Sequence, residues 1–457
     1  MTLITDSGDR LDDLALDLDG RLVRPDDADW DVARTAWHLD VDQRPAAVAQ
    51  VASVRDVSAV VDAARELGLT VAAQSTGHNA APLGDLAGTI LVRTGAMRGV
   101  EIDPDRRIAR VEAGAWWADV TTAAAEHGLA ALAGSSHDVG VAGYVLGGGA
   151  SWLLRSHGLA ANTVVALDVV TADGRARRVD ADHEPDLFWA LRGGGGDFAV
   201  VTHIELRLFP IASVVAGVLF FPLERAEEVL QAWRRWLPSV PDEVTSVGRI
   251  LNFPPLPDLP PQLAGNSFAV VEVCCQLTEA EVDALLVPLR ALGPAIDTVH
   301  VTPMTELSLL HMDPPGPVPG IGDGRLLHAL DEDGISAFVA ATLAAGSELL
   351  SAELRQLGGA AGRRPADGGA VASFDADLLM FAVGITPVPE AVPVVRAAIM
   401  SVQEALRPWW TGGSYLNFAE EPRTPDELFG EETAARLRAV KAAVDPTGLI
   451  RSNHPVR

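Results

Sequence analysis

Two hydrophobic periods alternate along the first part of the chain. Residues 46–52 form a short apolar run of strand length, after which Val57, Val60, Val61, Ala64 and Leu67 fall on one face of a helix. Ser53, with Asp56 three residues on, reads as a capping box at its start, and Gly68 sits where a C-cap belongs. Residues 69–73 are apolar again, so the unit is strand, helix, strand, and it opens directly into the loop Gln74-Ser75-Thr76-Gly77-His78-Asn79. Further strands are predicted at 89–93 and 107–112, followed by a helix over 116–127 that Gly128 ends. Residues 134–149, GSSHDVGVAGYVLGGG, are too glycine-dense for an ordinary helix and too apolar for an exposed linker. A hairpin over 163–179 turns at Ala-Asp-Gly, a short helix covers 187–191, and a strand covers 198–208. The stretch 13–43 has no sustained period and is expected to wrap a surface and add little core.

From residue 210 the texture changes. Glycine thins out, proline clusters at 254–261 and 314–319, and the periodic segments lengthen, which places a domain boundary there. Strands are predicted at 214–221, 247–252, 268–277 and 378–385, and helices at 224–237, 278–292, 334–343 and 389–405. Strands and amphipathic helices without tight crossover spacing predict an antiparallel sheet flanked by helices. The fold class is α+β, divided as 1–209, 210–411, and a segment 412–457 that carries Tyr-Leu-Asn-Phe at 415–418 and a helix over 431–443.

Composition narrows the function. With 35 Lys and Arg against 62 Asp and Glu, the net charge of -27 repels phosphate backbones and anionic lipid, so neither nucleic acid nor a membrane surface is an expected partner. No apolar run approaches the roughly 18 residues needed to span a bilayer. The polar start lacks a signal-peptide pattern, and the only cysteines, Cys274 and Cys275, are adjacent in an apolar run, where a disulfide would be strained; a cytoplasmic protein without a metal site is expected. There are only two tyrosines, Tyr144 and Tyr415, so phenol chemistry has two possible sources.

Neither GxGxxG nor GxxxxGK[ST] follows a strand in this chain. Three glycine loops, at Gly77, at 134–149 and at 193–196, nevertheless follow predicted structure closely enough to converge at one edge of a domain. In so acidic a protein a diphosphate needs backbone N–H groups exposed by glycine, which fits a large dinucleotide; tight turns alone would explain the same composition.

The strings RPAAVAQVASVRDVSAVVDAARELGLTV, QSTGHN, GSSHDVGVAGYVLGGGASWL, DLFWALRGGGGDFAVVT, SYLNF and VDPTGLIRSNHP occur in this order over nearly the whole chain. Together they resemble the berberine bridge enzyme-like branch of the vanillyl-alcohol oxidase superfamily, flavoproteins with a PCMH-type FAD-binding domain. The resemblance implies a two-domain FAD-dependent oxidoreductase that moves hydride from an alcohol, sugar or natural-product substrate to flavin N5, with dioxygen as acceptor. A flavin dehydrogenase and a non-catalytic flavin-binding protein are its rivals.

Carried over residue by residue, the resemblance implies cofactor contacts from Gln74, Ser75, Thr76, Gly77, His78 and Asn79 in the first loop. The second loop contributes Ser136, Val139, Gly140, Gly143, Tyr144, Gly147 and Gly148, and further contacts come from Gly195, Val200 and Asn417. His78 matches the histidine that is linked to the flavin 8α carbon. Many relatives add a cysteine tether where this chain has Ser136, which cannot form a thioether, so the link is expected through His78 only. Asp197, where relatives commonly show Asn, is expected to point away from phosphate or to pair with Arg192.

Tyr415, in the returning C-terminal motif, is the expected catalytic base, although an unperturbed phenol near ~10 needs a neighbouring cation to act at neutral pH. Glu272 and His137 are the alternatives. Alternation over 268–277 puts Glu272, Cys274 and Gln276 on one face, facing either the cavity or solvent, with Arg249 and Asn252 on a neighbouring strand. The run 378–385 is apolar throughout and reads as buried sheet, and Trp409 and Trp410 are candidate pocket walls.

Overall fold

The computed structural model describes residues 7–314 and 316–457. Around the strand–helix–strand unit the first sheet runs in the order Arg21–Val23, Ala47–Gln50, Thr89–Arg93, Thr70–Gln74, its first pair antiparallel and the rest parallel. The helix Val54–Leu67 starts and stops as its sequence directs. Ser53 accepts a hydrogen bond from the Asp56 N–H, and Gly68 closes it in the left-handed conformation. Asp56 does not complete a capping box. Its carboxylate, fully buried, accepts instead from the N–H groups of Asp19, Gly20 and Ala52, which fastens the N-terminal segment to the sheet.

A second sheet of five antiparallel strands stands beside the first, in the order Val100–Asp103, Ile108–Glu112, Val200–Arg207, Val164–Val170, Ala176–Asp180. The glycine-dense run contains one short helix after all, Val141–Leu146, and it is buried on its valine and leucine side. The N-terminal stretch also departs from expectation. It forms helices Ser7–Asp17 and Trp30–Arg34 and buries Leu14, Val23, Ala33 and Ala36.

The third sheet is antiparallel, and its main path is Ile296–Asp297, Ser213–Pro222, Ser267–Cys275, Val244–Asn252, Ser351–Gln356, Leu378–Ile385, Gly320–Leu327. Helices Ala226–Trp236, Glu279–Arg290, Glu332–Ala345 and Ala391–Ala405 cover one face, burying Val215, Leu219, Val271, Val273, Ile250 and Leu354 with their own apolar stripes. The opposite face carries Ala216, Val247 and Cys274 into the same core as the second sheet. Period-two alternation therefore sends Glu272, Arg249, Glu353 and Arg355 toward the glycine loops.

Besides the short strands Ile296–Asp297 and His300–Pro303, two longer strands of this sheet, Gly320–Leu327 and Ser351–Gln356, were not expected. The first carries three glycines and an aspartate, and the second reads Ser-Ala-Glu-Leu-Arg-Gln, yet every residue of the second is buried. No helix among the described residues is long and apolar enough to cross a membrane.

Candidate functional site

A cavity of about 410 Å³ lies between the glycine loops and the face of the third sheet opposite its helices. The strand Thr70–Gln74 delivers the first loop to its edge. Gln74 exchanges amide hydrogen bonds with Gln43 at 2.9 and 3.1 Å. Gly77 adopts φ +89°, where a Cβ would stand 2.7 Å from the Gln74 amide and 2.9 Å from Ala36, so only glycine turns the chain here. His78 follows. Its ring stacks on Trp37 at 4.0 Å between centroids, and Nδ1 lies 2.8 Å from Thr76 Oγ1. On the other side Nε2 faces Asp138 Oδ1 at 3.5 Å. Burial pushes the Asp138 carboxyl up, but His78 and the Trp37 indole outweigh it and hold the carboxyl below its ordinary value.

Seven buried side-chain atoms on residues of the cavity wall lack a hydrogen-bond partner among the described residues: His38 Nδ1, Ser75 Oγ, His78 Nε2, Asn79 Oδ1, Tyr144 OH, Arg355 Nε and Ser452 Oγ. Buried polar groups in a folded protein are normally satisfied, so this wall fits a polar ligand with groups along its length. The second loop presents backbone with little in the way. At Gly147 a Cβ would fall 1.8 Å from Asn417 Oδ1, which shows how closely the C-terminal motif docks on it. These features fit FAD, with glycine amides available to a diphosphate and side-chain atoms to its rings.

Tyr415 stands where the C-terminal segment meets the second loop. Its oxygen accepts from the Ala150 N–H at 2.9 Å and from Asn417 Nδ2 at 2.8 Å, and Asn417 also donates to the Tyr144 carbonyl at 2.9 Å. Burial is the largest influence on the phenol and raises it to about 12; the two donors and the Arg355 charge pull the other way.

Behind the opposite wall lies a buried ionic cluster. His311 Nδ1 donates to Glu272 Oε2 at 2.8 Å and Nε2 pairs with Glu353 Oε2 at 2.9 Å. Arg355 donates to Glu353 Oε1 at 2.9 Å, and Arg249 lies 3.1 Å from Glu272 Oε1. Burial and Arg249 disfavour the His311 cation, but Glu272, Glu353 and Asp313 prevail and lift it to about 9. Three cations thus face two buried carboxylates. His311, Glu353 and Arg355 reach the cavity, beside Phe381, Val383, Ile385 and Phe418. Glu420 lines it as well, pushed up to about 8 chiefly by burial.

The cavity gathers Gln74, Ser75, Thr76, Gly77, His78, Asn79, Ser136, Val139, Gly140, Gly143, Tyr144, Gly147, Gly195, Tyr415 and Asn417. Four expected residues lie off its wall. Val200 is fully buried in the core of the first sheet, and its strand neighbours Ala199 and Val201 face the cavity instead. Gly148 sits behind the wall, where a Cβ would be 3.6 Å from the Tyr415 ring. His137 supplies a backbone carbonyl to the Ala118 N–H and is not among the residues lining the cavity. Glu272, 0% exposed, holds His311 from behind rather than touching a ligand.

Other expectations shift for plain geometric reasons. Residues 378–385 are not buried on both faces, since Phe381, Val383 and Ile385 form cavity wall. Gln276 pairs with His157 at 3.0 Å, Asn252 caps the Leu349 carbonyl at 2.7 Å, and Trp409 and Trp410 pack on the helical side of the sheet. Asp197 pairs with the buried Lys441, 3.6 Å away, while Arg192 stacks over Phe188. Trp37, His38, His311, Glu353, Arg355, Phe381 and Glu420 escaped the sequence reading. The one usable signal was Glu353 and Arg355 at strand spacing with Ala352 and Leu354 between and before them.

The fold and the cavity define a two-domain flavoprotein with an FAD-binding unit and an antiparallel substrate sheet. A family model described as an FAD binding domain matches residues 45–180, and one described as berberine and berberine like matches 414–457. An uncharacterized FAD-linked oxidoreductase of Bacillus subtilis, YgaK, is 29% identical over 95% of this chain and 96% of its own length. The (R)-6-hydroxynicotine oxidase of Paenarthrobacter nicotinovorans is 32% identical over 49% of this chain, an alignment that reaches 46% of that relative. Among solved structures, the xylooligosaccharide oxidase from Myceliophthora thermophila in complex with xylobiose superposes with a TM-score of 0.83 at 22% identity, covering 99% of each chain. The chain thus carries an FAD binding domain and a berberine-like C-terminal segment, and it is similar to an FAD-linked oxidoreductase over nearly its whole length.

Proposed function

We propose that the protein is an oxidase that takes hydride from a carbon of an alcohol, sugar or natural-product substrate, with dioxygen as the final electron acceptor. Residues 1–209 and 412–457 form the cofactor unit in this reading, and 210–411 form the substrate unit. FAD, when bound, supplies the two-electron acceptor. The glycine loops and the unpartnered atoms of Ser75, Asn79, Tyr144 and Ser452 hold it, and His78 is its single covalent anchor, because Ser136 offers a hydroxyl that already donates to Asp313 at 2.8 Å. The two cysteines are buried and free, which supports a reducing, cytoplasmic setting.

The observation that carries the reading is the hydrogen bonding of Tyr415. Two N–H donors occupy the acceptor positions of its oxygen, so the phenol's own proton points elsewhere and the same donors stabilise the phenolate. Arg355 is the cation that a tyrosine base requires. It is fixed by Glu353 and lies over Phe418 at 5.3 Å, on the same side of the cavity. Tyr415 therefore takes the proton of the substrate hydroxyl as hydride leaves the adjacent carbon. Phe381, Val383 and Ile385 exclude water and pack the substrate's apolar face, and Glu420 and His38 offer polar contacts at the His78 end.

Anaerobic screening of alcohols and glycosides for loss of flavin absorbance tests this directly. Substrate-dependent bleaching followed by rapid recovery in air is expected. Bleaching with slow recovery would make the protein a dehydrogenase, and absence of bleaching across the panel would leave a flavin-binding protein.

A further inference from the structure

We infer that Trp37 and Asp138 are positioning residues that set His78 up for attachment to the flavin; the inference rests on the reading of His78 as the covalent anchor. The segment carrying Trp37 lies against the His78 loop through backbone, with the Trp37 N–H donating to the Thr76 carbonyl at 2.9 Å and the His38 N–H to the Gly77 carbonyl at 3.4 Å. This places the indole over the imidazole, nearly parallel at 16°, and confines the ring to one plane. The indole Nε1–H also donates to Asp138 Oδ2 at 2.7 Å. One oxygen of the carboxylate is thereby fixed, and the other, Oδ1, is left buried beside His78 Nε2. Neither of those two atoms has a hydrogen-bond partner among the described residues.

A carboxylate accepts and does not donate, so Asp138 favours the tautomer with its proton on Nε2. The lone pair is then on Nδ1, and the Thr76 hydroxyl, a free rotor, can release it. In the attachment step a bond forms between Nδ1 and the flavin 8α carbon, and a C–H bond of that methyl group breaks. Two electrons pass into the ring system and on to dioxygen, which with the methyl proton and the Nε2 proton becomes hydrogen peroxide. The imidazole gains positive charge as its bond forms and loses its Nε2 proton toward Asp138. A buried carboxylate beside that nitrogen stabilises the charge and receives the proton; the stacked indole keeps both groups in register.

The test compares wild type with Asp138→Asn, Asp138→Glu, Trp37→Phe, Trp37→Leu and His78→Ala, all as full-length protein incubated with FAD in air. Two quantities are read: total bound flavin in the native protein, and the share that stays with the chain after acid precipitation, followed over time. Wild type should retain its flavin and His78→Ala should release it. Asp138→Asn and Trp37→Leu should attach flavin at least about tenfold more slowly while binding it normally, with Trp37→Phe between them and wild type, and Asp138→Glu restoring the rate. Attachment by Asp138→Asn at the wild-type rate, or a loss that only follows reduced FAD binding and that Asp138→Glu does not rescue, would overturn the inference. Release of all flavin from wild type would instead overturn the His78 reading on which it stands.

Discussion

On the cofactor side of the cavity the polar groups are backbone amides and single side-chain atoms, Ser75 Oγ, Asn79 Oδ1 and Ser452 Oγ among them, that lack partners among the described residues. On the third-sheet side they are the side chains of Arg249, Glu272, His311, Glu353 and Arg355, which pair with one another and leave only Arg249 Nε, Glu272 Oε1 and Arg355 Nε of their buried atoms without a hydrogen bond among the described residues. The first wall is completed by what binds to it. The second is preorganised before anything binds, and its cost is the desolvation of five charged groups. Substitutions should therefore act differently on the two walls: through flavin content on one, through stability or chemistry on the other.

The largest effect should come where the walls meet. Tyr415→Phe removes a hydroxyl that two donors hold in place, and general base catalysis is typically worth ~100 to 10,000-fold, so flavin reduction should slow by at least about 100-fold in anaerobic stopped flow. Flavin content should stay near wild type; a rate within a few fold would remove Tyr415 as the base. Glu272→Gln attacks the preorganised wall from behind. Breaking a buried ion pair by removing one partner costs about 3–5 kcal/mol, readable by denaturant unfolding, while flavin reduction in the folded protein should change only a few fold because Glu272 does not reach the cavity. A loss of rate without a loss of stability would return Glu272 to the chemistry.

Gly147→Ala tests the other wall. Its Cβ would overlap Asn417 Oδ1, which must move or release its hold on Tyr415 and the Tyr144 carbonyl. A cost of ~1–3 kcal/mol is expected, with lowered flavin content as its signature. The smallest effect is one of pH. His311 is lifted in the fold to about 9, so its stabilising charge is fully present below the unfolded value near ~6.5 and is lost as pH rises through about 9. Thermal stability should decline across that window in wild type and decline less in His311→Gln.

The difference between the walls also explains what could be read in advance. Glycine acts through what it lacks, and a run such as 134–149 or 193–196 remains visible in a linear string because its residues act together. The motif Tyr-Leu-Asn-Phe was legible for the same reason. Glu353 and Arg355 were not, because a strand reading Ser-Ala-Glu-Leu-Arg-Gln looks half solvated until His311, arriving from a distant loop, supplies the partner that lets it be buried. Glu272 was recognised as unusual in its apolar strand, but the choice between cavity and cluster depended on that same loop. Asp197 was expected to point away from phosphate or to pair with Arg192, five positions away; its cation is Lys441, which a helix near the C-terminus returns to it. Trp37 lay in a stretch without period, and no pattern precedes a contact made by one side chain.

In the proposed function a buried tyrosine, held by two N–H donors and a fixed arginine, accepts the substrate proton. The pH dependence of anaerobic flavin reduction at saturating substrate tests it most directly. With the Tyr415 phenol raised to about 12, the base form is scarce throughout the neutral range, so the rate should rise close to tenfold per pH unit and show no plateau below about pH 10. A rate that levels off between pH 6 and 8, or does not vary with pH, would contradict it and move the proton to another group on the wall, Glu420 first.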